Sequence, residues 1–218
     1  MVETNEALDT PGGRLPLHEY RLPRDGRAWS VLHVDAVLSR EDETRALVRK
    51  TNQVPYGVSL WPAGIALAHE VAAREPQFRG RSVLELGAGV GLPGIVAASF
   101  GGRALLTDRD ETALALCRRN AARNGLGSVE HRLADWTDWS VTERFDWILG
   151  ADVLYGDAFH PHLRRILLEN LAPGGRALIA DPFRSVGHQF LEALEAESWS
   201  ISFTRWEIGG EGEARPVG

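Results

Sequence analysis

The segment Glu85-Leu86-Gly87-Ala88-Gly89-Val90-Gly91 restricts this chain to few folds. It follows the apolar run Ser82-Val83-Leu84 and precedes a second run, Ala104-Leu105-Leu106-Thr107, that ends on Asp108. A strand, a glycine turn, a helix start and a distant carboxylate are the parts of a nucleoside pocket. Glycines admit backbone amides close to a ligand where a Cβ would clash, the helix start favours a negative group, and an acid ending the next strand accepts from ribose hydroxyls. The residues predict an adenosine cofactor at the carboxyl ends of the first two core strands.

Gly89-Val90-Gly91-Leu92-Pro93-Gly94 also satisfies the dinucleotide pattern G-x-G-x-x-G. The acid at Glu85 separates the possibilities. At the carboxyl end of the strand it would repel a pyrophosphate but suit a cationic amino acid, which favours S-adenosyl-L-methionine over a nicotinamide or flavin nucleotide. That molecule carries an ammonium, a sulfonium and a carboxylate but no phosphate. Its carboxylate would use the helix start while Glu85 faces the positive end. An α/β domain with an empty glycine turn is the other reading of the same residues.

With 218 residues, 44% of them hydrophobic, the chain can bury one sizeable core. A single unit is expected: a flexible arm over 1-14, then one domain over 15-218, with an N-terminal hairpin and helices at 15-75 and a core sheet at 82-208. The net charge of -6 argues against a broad nucleic-acid surface. The lone cysteine, Cys117, excludes an internal disulfide and a four-cysteine zinc site, and fits a reducing cytoplasm. The first residues lack an apolar core of signal-peptide length, and the apolar stretch Leu86 to Phe100 is short of the roughly 20 residues that cross a bilayer. A soluble monomer without a membrane partner is expected. His160-Pro161-His162 is not completed by a carboxylate or cysteine pattern, so no metal site is expected.

From Leu15 to Leu38 polar and apolar residues alternate around a Pro23-Arg24-Asp25-Gly26 turn, which predicts a β-hairpin. Glu41 to Thr51 suggests a short polar helix, Tyr56 to Pro62 an irregular link, and Ala63 to Arg74 an apolar helix. Strands then alternate with helices: Ser82–Leu86, helix Leu92–Phe100, Ala104–Thr107, helix Glu111–Asn124, Val129–Leu133, Phe145–Leu149, helix Asp157–Leu171, Arg176–Ala180, helix Ser185–Glu197 and a last strand Trp199–Ile208. Repeated βα units predict an α/β fold with a doubly wound, mainly parallel sheet. Little chain remains after Ile208, so the final strand of such a sheet is short, missing or contributed from elsewhere.

Leu60-Trp61-Pro62-Ala63, Asp135-Trp136 and Ala151-Asp152-Val153-Leu154-Tyr155 follow one another around the glycine turn. In this order the chain resembles the seven-strand, Rossmann-like S-adenosylmethionine-dependent methyltransferases. More narrowly it resembles the small protein-lysine methyltransferases, over Tyr56 to Pro182. The resemblance implies that Asp152 and Tyr155, in an Asp-x-x-Tyr segment after the fourth strand, face the transferred methyl group as catalytic residues. It also implies cofactor contacts at Trp61, Glu85, Gly87, Ala88, Gly89, Gly91, Asp108, Asp135, Trp136 and Ala151.

Chemistry makes these residue types reasonable. A lysine amine of ordinary pKa near 10.4 is protonated at neutral pH. A sulfonium about 4 Å away costs that ammonium roughly 1 to 4 kcal/mol and brings deprotonation within reach. Asp152 would hold the incoming ammonium, and the Tyr155 hydroxyl would share a proton or orient the nitrogen. The Trp136 ring would cover the adenine and Asp135 accept from its amino group. The expected function is therefore an N-methyltransferase acting on a lysine of a protein. A small-molecule amine methyltransferase and a non-catalytic S-adenosylmethionine-binding protein remain as alternatives. Base methylation is disfavoured, because prolines are missing from Asp152-Val153-Leu154-Tyr155.

Overall fold

The computed structural model describes residues 2–10, 13–37, 56–209 and 215–218. The polar helix expected over Glu41 to Thr51 lies outside the described residues. Strands β2 (Gly13–Arg24) and β3 (Arg27–His33) pair antiparallel as the alternation predicts. Between them Asp25 and Gly26 have φ of 49° and 78°, the left-handed pair that closes a two-residue hairpin.

The residues ahead of the hairpin depart from expectation. In place of a flexible arm, Val2–Thr10 forms strand β1, paired antiparallel with β2 from Val2 opposite Glu19 to Thr10 opposite Gly13. The free edge of β2 offers a ladder of hydrogen bonds. Leu8 is buried, and Glu6 bonds Arg123 at 3.0 Å and also contacts Arg119. Acidic composition suggested solvent, but Glu6 has cationic partners on a distant helix. The extension is thus a three-stranded sheet buried on both faces, with Leu17 and Leu32 on one and Leu22 and Val31 on the other.

A short parallel pair, β4 (Asp35–Ala36) and β5 (Ser59–Leu60), leads into α1 (Pro62–Ala73) and the single turn α2 (Glu75–Phe78). The core elements follow as β6 (Ser82–Leu86), α3 (Leu92–Ser99), β7 (Arg103–Asp108), α4 (Glu111–Arg123), β8 (Glu130–Leu133), β9 (Phe145–Ala151), α5 (His160–Asn170), β10 (Leu171–Ala180) and α6 (Ser185–Ala196). Five strands form one parallel sheet in the order β10-β9-β6-β7-β8.

Successive side chains of a strand point to opposite faces, and the apolar residues divide accordingly. Val83, Leu106, Trp147 and Leu149 pack on the side of α1, α3 and the N-terminal sheet, whereas Leu84, Leu86, Leu105 and Ile148 pack on the side of α5 and α6. Each fully buried Leu or Ile contributes roughly 1.5–3 kcal/mol. Both faces are covered, as a doubly wound sheet requires. Among the described residues no helix is long and apolar enough to cross a membrane.

The last expected strand is shorter than its apolar residues suggest. Trp206–Ile208 (β11) pairs antiparallel with Arg215–Val217 (β12) as a separate ribbon, and residues 199–205 take no strand conformation. Alternation over Ile201 to Arg205 is not matched by burial, since Phe203 points to solvent at 61% exposure.

Candidate active site

The sheet order reverses at β6, which has β7 on one side and β9 on the other. Crevices outside the carboxyl ends of strands at such a switch point are where α/β sheets take ligands. A cavity of about 670 Å³ opens there, lined by the segments that follow β6, β7, β8, β9 and β10 and by the link ahead of α1. Its lining includes Trp61, Glu85, Gly87, Ala88, Gly89, Asp108, Asp135, Trp136, Ala151, Asp152 and Tyr155. Of the sequence-predicted site residues only Gly91 stands back from it.

The turn after β6 is held by its glycines. Gly89 has φ 53° and lies against the backbone of Gly57, whose carbonyl oxygen would be 3.0 Å from a Cβ at 89. The Gly89 N–H donates to Asp108 Oδ2 at 3.0 Å, and the Ala88 N–H to the Thr107 carbonyl at 2.8 Å, so the turn is clamped to the end of β7. Gly91, at φ 83°, caps α3; a Cβ there would run into Cys117 Sγ. That close approach to Cys117 seats the turn on α4.

Charge distinguishes the cavity. Glu85, Asp108, Asp110, Asp135 and Asp152 line it against Arg109 and Arg184. Glu85 is 1% exposed, and burial, reinforced by the Asp108 charge, pushes its carboxyl up to about 8 although Gly94 donates to it. Among the described residues no cationic side chain is ion-paired with it. Burial likewise raises the Asp108 carboxyl, whose oxygens accept from Gly89 and Asp110 at 3.0 Å and retain lone pairs for further donors. A cationic nucleoside with paired hydroxyls fits this set of acceptors; a pyrophosphate does not.

Asp135 caps the turn Trp136–Asp138, accepting from the Thr137 N–H at 2.8 Å and its hydroxyl at 2.7 Å, and these bonds hold its carboxyl below the usual range. Trp136, Tyr155 and Phe159 form an aromatic group at the mouth, with ring centroids 5.4 to 6.1 Å apart. Tyr155 is 47% exposed; burial of the remainder raises its phenol. Trp61 precedes α1, donating its indole N–H to the Tyr56 carbonyl at 3.2 Å.

Asp152 leaves β9 in the left-handed region at φ 59°, with its N–H bonded to the Ala180 carbonyl at 2.8 Å. Its carboxylate is ion-paired with Arg184. Arg184, Gly57 and Phe159 are cavity residues that sequence reasoning missed. Gly57 was visible only as part of an irregular link. Phe159 was visible only as part of a helix start, and nothing beside Arg184 in the sequence distinguishes it.

A model of the lysine methyltransferase family matches residues 40–197. Histone-arginine methyltransferase METTL23 of Mus musculus is 32% identical over 151 residues, 66% of this chain and 49% of that protein. Protein N-lysine methyltransferase METTL21A of Xenopus tropicalis is 32% identical over 149 residues, 66% of this chain and 69% of that protein. The chain thus spans about half the length of the first relative and two thirds of the second. Among solved structures, the 16S rRNA N2 G1207 methyltransferase RsmC of T. Thermophilus superposes with a TM-score of 0.60 at 18% identity, covering 92% of this chain and 49% of that one. The ribosomal protein L11 methylase of Lactobacillus delbrueckii gives 0.53 at 23%, covering 69% and 73%. Likeness at these identities extends to the fold, the Rossmann-like sheet of class I methyltransferases. Given the match across most of its length, this chain belongs to the lysine methyltransferase family.

Proposed function

We propose that this protein is an S-adenosyl-L-methionine-dependent N-methyltransferase whose acceptor is a lysine side chain of a protein. The observation that carries the reading is the acidic cavity at the sheet's switch point, lined by a buried Glu85 with no ion-paired cation among the described residues and by Asp152 and Tyr155. When bound, S-adenosyl-L-methionine supplies an electrophilic methyl carbon on a sulfonium.

Each residue has a task in that reading. Glu85 meets the positive end of the cofactor, Asp108 accepts from the ribose hydroxyls, and Trp136 covers the adenine, with Gly87, Ala88, Gly89, Trp61, Asp135 and Ala151 shaping the walls. Asp152 holds the acceptor ammonium by charge. The Tyr155 phenol, raised by burial, stays protonated at neutral pH, so it orients the amine nitrogen through its oxygen lone pairs rather than acting as a base. Alignment of nitrogen with carbon supplies much of the acceleration. A cytoplasmic monomer suits the single cysteine and the modest net charge.

Incubation with radiolabelled methyl donor and a cell lysate, split by size, tests the acceptor. Label recovered in protein as ε-N-methyllysine after hydrolysis is the expected result. Methylarginine instead, or label confined to small molecules, would overturn the lysine assignment.

A further inference from the structure

Two strand ends meet at one guanidinium. Asp152 follows β9 and Asp181 follows β10, and the Asp152 N–H to Ala180 bond holds the two ends side by side. Arg184, the residue before α6, donates its backbone N–H to Asp181 Oδ1 at 2.7 Å and its Nη1 to Asp181 Oδ2 at 3.0 Å, and it pairs with Asp152 through the same Nη1. Gly187 in the first turn of α6 leaves room for this cluster, since a Cβ there would lie 3.2 Å from the Asp181 carboxyl carbon. Asp181 is 8% exposed and stands behind the cavity wall, whereas Asp152 and Arg184 line the cavity.

Charge counting gives the consequence. Asp152 and Arg184 alone would be neutral and would attract no ammonium. With Asp181 these three side chains carry one net negative charge, so that among the described residues the cluster favours a cation. Arg184 has a second carboxylate to rest on if the first is taken.

We propose that Arg184 is a positioning residue that occupies the acceptor end of the cavity as a resident cation and yields Asp152 to the acceptor ammonium while remaining bonded to Asp181. This rests on the methyl-transfer reading of the same cavity. It makes the enzyme selective for cationic acceptors: a neutral hydroxyl or thiol cannot replace a guanidinium on a carboxylate, so Arg184 stays in place and Asp152 remains covered. Asp181 is the anchor that keeps the displaced guanidinium from leaving.

The probe is n-butylammonium, a lysine side-chain mimic, titrated at about pH 8 into protein saturated with S-adenosylhomocysteine, where the amine is still largely charged. The Arg184 Nε resonance in arginine-labelled protein should shift saturably with n-butylammonium and stay fixed with n-butanol. Arg184→Gln should bind the amine about tenfold more tightly, and Asp181→Asn about tenfold more weakly, as expected for one unit charge a few ångströms away. S-adenosylhomocysteine affinity should hold within about twofold in both, because neither charge meets the glycine turn. Arg184→Lys keeps a bridging cation and should retain the wild-type amine affinity; should Arg184→Gln fail to fold, this variant and the resonance shift still decide. An Arg184 resonance indifferent to the amine, or equal amine affinity in wild type and Arg184→Gln, overturns the proposal. If the protein binds S-adenosylhomocysteine and methylates protein while Arg184 is undisturbed, methyl transfer stands and only this role falls. Absence of S-adenosylhomocysteine binding removes both.

Discussion

Glu85 and Gly94 meet at the start of α3, where the Gly94 N–H donates to Glu85 Oε2 at 3.0 Å and any Cβ at position 94 would collide with that oxygen. The last glycine of G-x-G-x-x-G therefore serves a buried carboxylate rather than a phosphate. This explains how a dinucleotide-like pattern coexists with an acidic pocket.

Glu85 ties stability to pH. Its carboxyl rises from an ordinary 4.5 to about 8 on folding, so its stabilising contribution is complete below about pH 4.5 and is lost as the pH rises through about 8. The unfolding free energy of the ligand-free protein, read from denaturant titration, should fall over that window by up to about 1.4 kcal/mol per pH unit, and Glu85→Gln should flatten the fall. A cation beside Glu85 favours its ionised form, so S-adenosyl-L-methionine binding near pH 7 should release a proton. Calorimetry in buffers of different ionisation enthalpy reads this directly. Buffer-independent heat would place the positive end of the cofactor elsewhere.

The glycine turn should be intolerant from both sides. At φ 53°, with the Gly57 carbonyl 3.0 Å from an added Cβ, Gly89→Val combines left-handed strain with a backbone clash. Binding of S-adenosylhomocysteine should be lost, with about 1–3 kcal/mol of stability. Gly57→Ala places a Cβ 2.7 Å from Ala113 Cβ and should weaken binding through the same contact, although it lies far from the turn in sequence. Wild-type affinity in Gly57→Ala would show that the two backbones separate freely.

Asn120 links the N-terminal sheet to the cofactor turn. Its amide receives the Leu32 N–H at 2.8 Å and donates to the carbonyls of Leu32 at 3.0 Å and Val90 at 2.9 Å, all in a fully buried setting. Asn120→Leu would strand three backbone groups, and at about 1–3 kcal/mol for each buried unsatisfied group a loss of about 3 kcal/mol or more is expected in chemical unfolding. Affinity for S-adenosylhomocysteine should fall as well, since Val90 belongs to the turn. A stability loss without any change in affinity would separate the sheet from the site.

Nearby, Glu19 is held down to about 2 by Arg21, Ser30 and Arg123, against an ordinary 4.5. The depressed value means that its contribution is present above about pH 4.5 and disappears as the pH falls through about 2. Glu19→Gln should lower the unfolding midpoint at neutral pH and leave it nearly unchanged at about pH 2. An equal loss at both pH values would assign the effect to packing instead of charge.

Sequence patterns made the central sheet legible because glycine turns, strand periodicity and helix caps are local. Asp110, for instance, caps α4 by accepting from Thr112 and Ala113. Asp108 was recognisable as the acid that ends the strand after the glycine turn, Trp136 and Asp152 through the resemblance to the methyltransferases, and the topology carries these strand ends to one edge. Arg184 and Gly57 were not, since their importance lies in contacts with Asp152 and Gly89 across the fold. Strand β1 escaped for a related reason. Its acids look solvated until Arg119 and Arg123, far along the chain, are placed beside Glu6.

The two candidate catalytic residues should fail differently. Asp152 sits at φ 59°, a region that Asn tolerates better than Ala, so Asp152→Asn removes the charge while sparing the backbone. It should retain S-adenosylhomocysteine affinity within about tenfold and lose most methyl transfer, because the acceptor ammonium loses its carboxylate partner while Arg184 keeps Asp181. Tyr155→Phe keeps the ring contacts with Trp136 and Phe159 and removes only the phenol oxygen. If that oxygen orients the nitrogen without taking its proton, the loss should be about tenfold to a hundredfold in kcat, with an unchanged pH profile. A shift of the profile's alkaline limb in Tyr155→Phe would show the phenol titrating in the reaction and would restore it as a base.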